Sequence, residues 1–259
     1  MILATDHHHV GIFDLDHSGT FCPVCGTTAV TFDPLPDFYR QNAVKHGYVH
    51  FGNGEMTAID TYSCGKCGAS DRERLCAYWL AKEIETGVFT GVTDVIHFAP
   101  EKGLADYILH SRAFGNYQTA DLLMENVDHK VDLMNLPFPN DSFDFFVCSH
   151  VLEHVPDDSR AIRELHRILR AGGGGILMAP IIVGLQNTIE DPTATTEAER
   201  WRLFGQFDHV RLYAHDDYVR RIEVGGFTLR QLGHAAFGHP TFVRLGLKST
   251  SILYIVKKQ

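Results

Sequence analysis

From about residue 90 to the C-terminus, short apolar runs alternate with amphipathic stretches. Runs at 93–99 (TDVIHFA), 116–121 (NYQTAD), 143–149 (FDFFVCS), 174–180 (GGILMAP), 226–233 (GFTLRQLG) and 250–257 (TSILYIVK) read as strands, with weaker strand character at 128–132. Between them, DDSRAIRELHRILR (157–170) puts Ala161, Ile162, Leu165, Ile168 and Leu169 on one helical face. Asp157 and Asp158 open that helix, and the glycines Gly172 to Gly175 are expected to close it. A helix over 71–86 starts at Ser70-x-x-Glu73, a capping-box pattern in which side chain and backbone satisfy each other. Residues 181–214 have no clean period and are expected to form a long insertion, or lid, over a site. The alternation predicts an α/β fold with a doubly wound, mostly parallel sheet.

The pattern changes before residue 90. There lie Cys22-Pro-Val-Cys25-Gly and Cys64-Gly-Lys-Cys67-Gly, separated by an aromatic stretch containing Gly and Pro. Two thiolates three positions apart can share one metal, and two such pairs supply the closed four-sulfur set of structural zinc. Cys22, Cys25, Cys64 and Cys67 are therefore expected to hold zinc as scaffolding, in an N-terminal module that includes the first helix (1–89) and precedes a larger domain (90–259). Cys76 and Cys148 read as small buried hydrophobes. His7, His8 and His9 read as a solvated tail.

Composition narrows the partners. Hydrophobic residues make up 44% of the 259, enough for a sizeable core, and the formal net charge of -9 argues against a general binder of nucleic-acid backbone. No run of about 18 apolar residues and no basic-then-apolar leader is present, so no membrane partner and a cytoplasmic location are expected. No pattern in the chain bears on oligomeric state.

In doubly wound sheets ligands sit beyond the carboxyl ends of the strands. If 93–99 is the first strand, Ala99-Pro100-Glu101-Lys102-Gly103 forms the first turn there. Asp121 ends the second strand, placed to accept hydrogen bonds from a ribose diol. Asp132 is placed near an adenine amino group, and Ser149-His150 end a further strand. The order across 131–180 (VDLMNLPFPNDSFDFFVCSHVLEHVPDDSRAIRELHRILRAGGGGILMAP) resembles the core of class I S-adenosylmethionine-dependent methyltransferases. Together with the cysteine pairs, CGASDRERL, FAPEKG and EDP…FGQFDHVRLY…GGF, it is similar to a zinc-containing bacterial subgroup of them.

That resemblance implies a seven-stranded Rossmann-like sheet and S-adenosylmethionine as cofactor. The cofactor would be bound by Ala99, Pro100, Glu101, Gly103, Asp121, Leu122, Asp132, Leu133, Ser149 and His150. The chain departs from the family at its glycine loop: His97, Ala99, Glu101 and Gly103 stand where an acidic residue and three glycines are usual. Ala99 is small enough for backbone approach, and Glu101 is placed to meet the ammonium of the methionine part.

Catalytic groups should lie on loops over the same edge. In FGQFDHVRLYAHDDY (204–218), His209 titrates near neutrality by type and Asp208 is placed to orient it, so the pair is expected to act as a base. Arg211 and Tyr213 alternate with apolar residues and are expected to contact substrate, against the alternative that Asp208 and Arg211 tie the lid down. Arg72 and Arg74 are expected on a solvated helix face with Asp71 and Glu73. Phe32, Phe38, Tyr39, Tyr48 and Phe51 either cover a ring-shaped acceptor or pack around the metal. The leading expectation is methyl transfer to an oxygen or nitrogen of a small molecule, such as a sugar or secondary metabolite. The alternatives are an RNA methyltransferase with a zinc module and a non-catalytic zinc-ribbon interaction protein on a degenerate methyltransferase fold.

Overall fold

The computed structural model describes residues 19–92 and 94–259; His7, His8 and His9 lie outside them. Seven strands form the central sheet: β1 (Asp94–Phe98), β2 (Asn116–Asp121), β3 (His129–Lys130), β4 (Phe143–Ser149), β5 (Leu169–Met178), β6 (Thr228–Leu232) and β7 (Leu253–Lys257). Their order is β6-β7-β5-β4-β1-β2-β3, with β7 antiparallel to both its neighbours and the remaining pairs parallel. This is the doubly wound, mostly parallel sheet that the alternation predicts, and its topology fits the Rossmann-like methyltransferase fold.

Eight helices accompany the sheet among the described residues: α1 (Asp37–His46), α2 (Asp71–Glu85), α3 (Lys102–Ser111), α4 (Asp158–Ile168), α5 (Glu197–Phe204), α6 (His215–Val224), α7 (His234–Phe237) and α8 (His239–Leu245). None of them is long and apolar enough to cross a membrane.

Both sheet faces are covered, and β4 shows how. Phe146 and Cys148 enter one core with Ile162, Leu165, Tyr218 and Ile222 of α4 and α6. Phe145 and Val147 enter the other with Leu75, Trp79, Leu80, Leu104 and Ile108 of α2 and α3. A strand buried on both faces reads as a continuous apolar run, and FDFFVCS is one. Helix α2, grouped by the sequence with the N-terminal module, therefore shares the sheet's core.

The glycines after α4 do not close it. The helix runs directly into β5 at Leu169, and Gly174 and Gly175 belong to the strand. A Cβ on Gly174 would meet the Val256 carbonyl at 2.9 Å, and one on Gly175 the Phe146 ring at 2.7 Å. They are glycines because β5 is pressed between a neighbouring backbone and an aromatic ring.

Two helices lie where no period was read. Helix α5, inside 181–214, starts at Thr196 with a full capping box to Glu199. The insertion also pairs Ile189–Glu190 with Arg211–Leu212. Helix α1 lies between the cysteine pairs and meets α5 through Trp201, which stacks on His46 and takes the edge of Phe38.

The four-residue run Asp71-Arg72-Glu73-Arg74 is not a solvated face. Asp71, Glu73 and Arg74 are buried. The Arg74 guanidinium donates to the carbonyls of Thr61, Tyr62, Ala69, Leu245 and Gly246 and lies over the Phe32 ring. One side chain thus joins the cysteine-bearing segment to the end of α8.

Candidate active site and sulfur cluster

The four sulfurs of Cys22, Cys25, Cys64 and Cys67 converge. Cys22 and Cys67 are 3.7 Å apart, Cys25 and Cys64 3.9 Å, and all four sulfurs lie within 4.8 Å of one another. Four sulfurs about 2.3 Å from one tetrahedral ion stand about 3.8 Å apart, so the set has the spacing of such a site. Short antiparallel pairs, Phe21–Cys22 with Thr27–Thr28 and Phe32–Asp33 with Ser63–Cys64, hold the knuckles. Burial pushes the Cys22 thiol well up and that of Cys67 to about 11. At Cys25 burial acts the same way but is outweighed by hydrogen bonding to Thr27, and that thiol moves down. Phe32 packs here, against Cys22 and Cys64.

At the sheet's carboxyl edge, Phe98 of β1 stands level with Ala120 of β2 and Cys148 of β4. Ala99, Asp121 and Ser149 therefore lie side by side, at the point where the chain order reverses between β1 and β4. That is where open α/β sheets bind ligands. Ala99 (φ 47°) and His150 (φ 58°), one on each side of this point, both adopt left-handed backbone that is rare outside glycine. Pro100 follows in the turn, and Glu101 is the N-cap residue of α3, its side chain making no capping hydrogen bond.

Glu101 accepts from Arg72 at 3.1 Å and lies 3.4 Å from His97 Nε2; His97 Nδ1 in turn is 2.8 Å from the Tyr117 hydroxyl. Burial would raise the Glu101 carboxyl, but His97 and Arg72 outweigh it and bring it down to about 2, so it stays ionised. Gly103 has a packing reason to be glycine. A Cβ there would meet Glu73 Oε1 at 2.7 Å, the same oxygen that accepts from the Leu104 amide.

Asp121 Oδ1 accepts from the amides of Leu123 and Met124 at 2.6 and 2.7 Å, a turn that leaves the second oxygen over. Leu122 and Leu123 beyond it are exposed apolar side chains. Asp132 accepts from the Met134 amide, Leu133 is buried beside it, and the buried Ser149 hydroxyl has no hydrogen-bond partner among the described residues.

Next to this edge is a cavity of about 280 Å³. The segment between the cysteine pairs contributes Tyr39, Tyr48, Phe51 and Tyr62, and the insertion contributes Ile182, Phe204 and Leu212. Arg72, His150, Glu153, His154 and His209 supply its polar wall. Of the aromatics expected to cover an acceptor, Tyr39, Tyr48 and Phe51 line the cavity, whereas Phe32 and Phe38 do not.

Two expectations about the loop before α6 are corrected. His209 lines the cavity but is buried, and burial, with His154 beside it, drives its imidazole down to about 3. It is neutral at ordinary pH and a weak base. Asp208 does not orient it but faces His154, with Oδ2 3.4 Å from Nδ1. Nor do Arg211 and Tyr213 reach the cavity. The Arg211 guanidinium is bonded to the carbonyls of Leu152, Val155 and Pro156 and to Glu190, and the Tyr213 hydroxyl donates to Asp158 at 2.6 Å. They tie the insertion down. Glu153 lies in the apolar run VLEHV, which carries no local sign of a functional carboxylate. It is fully buried, burial raises its carboxyl to about 8, and neither of its oxygens has a hydrogen-bond partner among the described residues.

Residues 106–177 match the family model of a methyltransferase domain. That stretch runs from within α3 to the end of β5 and includes Asp121, Asp132, Ser149 and Glu153. The chain is 42% identical over 99 residues to 2-methyl-6-phytyl-1,4-hydroquinone methyltransferase 1, chloroplastic, of Oryza sativa subsp. japonica, which covers 37% of this chain and 25% of that protein. It is 32% identical over 119 residues to 27-O-demethylrifamycin SV methyltransferase of Amycolatopsis mediterranei, covering 44% and 40%. The chain thus spans well under half of these relatives' length. Among solved structures, the YcgJ protein of Bacillus subtilis aligns with a TM-score of 0.46 at 16% identity, over 70% of this chain and 98% of that one.

Proposed function

We propose that the protein is an S-adenosylmethionine-dependent methyltransferase acting on an oxygen or nitrogen of a small molecule, a sugar or secondary metabolite. The observation that carries this reading is one juxtaposition. The switch point of the sheet, whose β4 side lies in the stretch that matches a methyltransferase domain, opens beside an aromatic-lined cavity of small-molecule size. The net charge of -9 and the modest cavity weigh for a small acceptor over nucleic acid. Relatives named for a hydroquinone and for rifamycin are in keeping with a ring-bearing one.

The cofactor supplies an electrophilic methyl group, whose bond to sulfur breaks with the electron pair staying on sulfur while an acceptor lone pair forms the new bond. In this reading Asp121 takes the ribose hydroxyls on its spare oxygen, and Leu122 and Leu133 flank the adenine with Asp132 at its amino group. The backbone of Ala99 and Pro100 lies along the methionine part, and ionised Glu101 meets the ammonium. Ser149 and His150 stand between cofactor and cavity. The acceptor lies under Tyr39, Tyr48 and Phe51, held mainly by orientation.

The four cysteines form a structural zinc site, its shell closed by four sulfurs with no position open for chemistry, in an N-terminal segment whose helix α2 packs on the sheet.

Calorimetric titration with S-adenosylmethionine and S-adenosylhomocysteine tests the cofactor site. Micromolar binding that weakens at least about tenfold in Asp121→Ala, or about 1.4 kcal/mol, is the expected result. Absence of binding by folded wild-type protein would overturn the reading.

A further inference from the structure

We infer that Glu153, His154 and His209 bind a divalent transition-metal cation of the zinc, manganese or iron(II) class at the wall of the cavity. One ligand atom from each lies within 4.8 Å of the other two. Glu153 Oε1 is 3.8 Å from His154 Nε2 and 4.0 Å from His209 Nε2. One carboxylate and two imidazoles suit such ions, whereas magnesium and calcium prefer oxygen throughout.

Two observations point to a ligand, and a third shows the frame that holds its site. First, Glu153 is fully buried, and among the described residues neither of its oxygens has a hydrogen-bond partner. Buried polar groups are rarely left so unless something binds them. The nearby guanidiniums are engaged elsewhere: Arg72 with Glu101, and Arg211 with Glu190 and three carbonyls. His150 Nδ1, 3.5 Å from Glu153 Oε1, is the next donor in reach.

Second, His154 presents Nε2 to Glu153 while its Nδ1 faces Asp208. A carboxylate behind the imidazole is the usual outer support of a metal-bound histidine, because it fixes the ring's orientation and tautomer. Asp208 is then a positioning residue.

Third, the frame is rigid. The Arg211 guanidinium is bonded to the carbonyls of Leu152, Val155 and Pro156, and the Val210 amide donates to the Glu153 carbonyl at 2.9 Å. The loop after β4 is thereby locked against the segment that carries His209.

Three protein ligands leave a position open, and the cavity is what borders it. An acceptor hydroxyl placed there would lose its proton to solvent more readily. The ion site stands without the transferase reading; this use of it rests on that reading.

The test is cobalt(II) titration of the chelator-stripped full chain, read by absorption and by metal content. Wild type is expected to take up cobalt in two classes, one with intense thiolate charge-transfer bands and one with only weak visible bands. Glu153→Gln and His154→Gln should each lose the weak class while keeping the thiolate bands, which report the fold. His154, half-exposed, keeps the test decisive should the Glu153 variant fail to fold. Uptake with thiolate bands alone, or a weak class that survives both substitutions, would overturn the proposal. A weak class lost in the variants of a protein that binds no S-adenosylmethionine would support the ion site and tell against the transferase reading.

Discussion

The sulfur cluster and the carboxylate–imidazole cluster are built by opposite means. The four cysteines come in two local pairs, each shaped by its own tight turn, and only the pairing of knuckles is long-range. Glu153 and His154 meet His209 across 55 residues of chain, held by one arginine bonded to carbonyls. The first cluster brings four donors of one kind. The second brings three of two kinds beside a cavity, with a buried carboxylate whose oxygens have no hydrogen-bond partner among the described residues. Completeness and local spacing mark a support; an incomplete shell on a cavity wall marks a place for chemistry.

Breaking the first cluster should have the largest effect. Cys64→Ser, or exhaustive chelation, removes stabilisation on the order of 10 kcal/mol. The region around the knuckles should then lose protease resistance and the thermal transition should broaden. Breaking the frame of the second should cost less. Arg211→Met strands buried carbonyls and should lower stability by about 3–5 kcal/mol in a denaturant titration, with loss of the weak cobalt class and retention of the thiolate one.

Glu55 sharpens the contrast because it is a buried carboxyl that does have a partner, the Tyr254 hydroxyl on both oxygens. Burial raises it to about 7 despite Tyr254, His215 and Lys248. The folded state then holds its proton more tightly than the unfolded state does. Its contribution to stability is therefore fully present below pH about 4.5 and is lost as pH rises to about 7, on the order of 2–3 kcal/mol. Glu55→Gln should flatten that slope in melts across the range, and cobalt should not. The smallest effect is expected at Gly103→Ala, about 1–2 kcal/mol from the clash with Glu73. Calorimetry should still find cofactor binding, in keeping with a glycine required by packing.

Legibility followed locality. Strands buried on both faces announce themselves as apolar runs, and the two C-x-x-C spacings point to shared ligation before any fold is known. Thr196-x-x-Glu199 carried the same capping signal as Ser70-x-x-Glu73, yet α5 was hidden because only Trp201 and Phe204 are buried along it. Helix α1 buries a single residue, Ala43, so it had no apolar stripe to show. The charged run Asp71 to Arg74 looks solvated by composition. Its burial depends on carbonyls at Leu245 and Gly246, about 170 positions on, which no local pattern encodes. The same holds for His209, whose side-chain type suggests a group titrating near neutrality until α5 and the loop after β4 enclose it.

The sulfur cluster also has a consequence for how the cavity can diversify. Cys25 and Cys64 bracket 38 residues, and their sulfurs are only 3.9 Å apart. The cavity's aromatic roof hangs on a loop whose two ends are fastened together off the sheet. Closing such a loop depends only logarithmically on its length, so doubling it costs about 0.6 kcal/mol. Insertions and deletions between the knuckles can thus reshape what the roof admits while leaving the sheet's carboxyl edge as it is, making that span an exchangeable cassette.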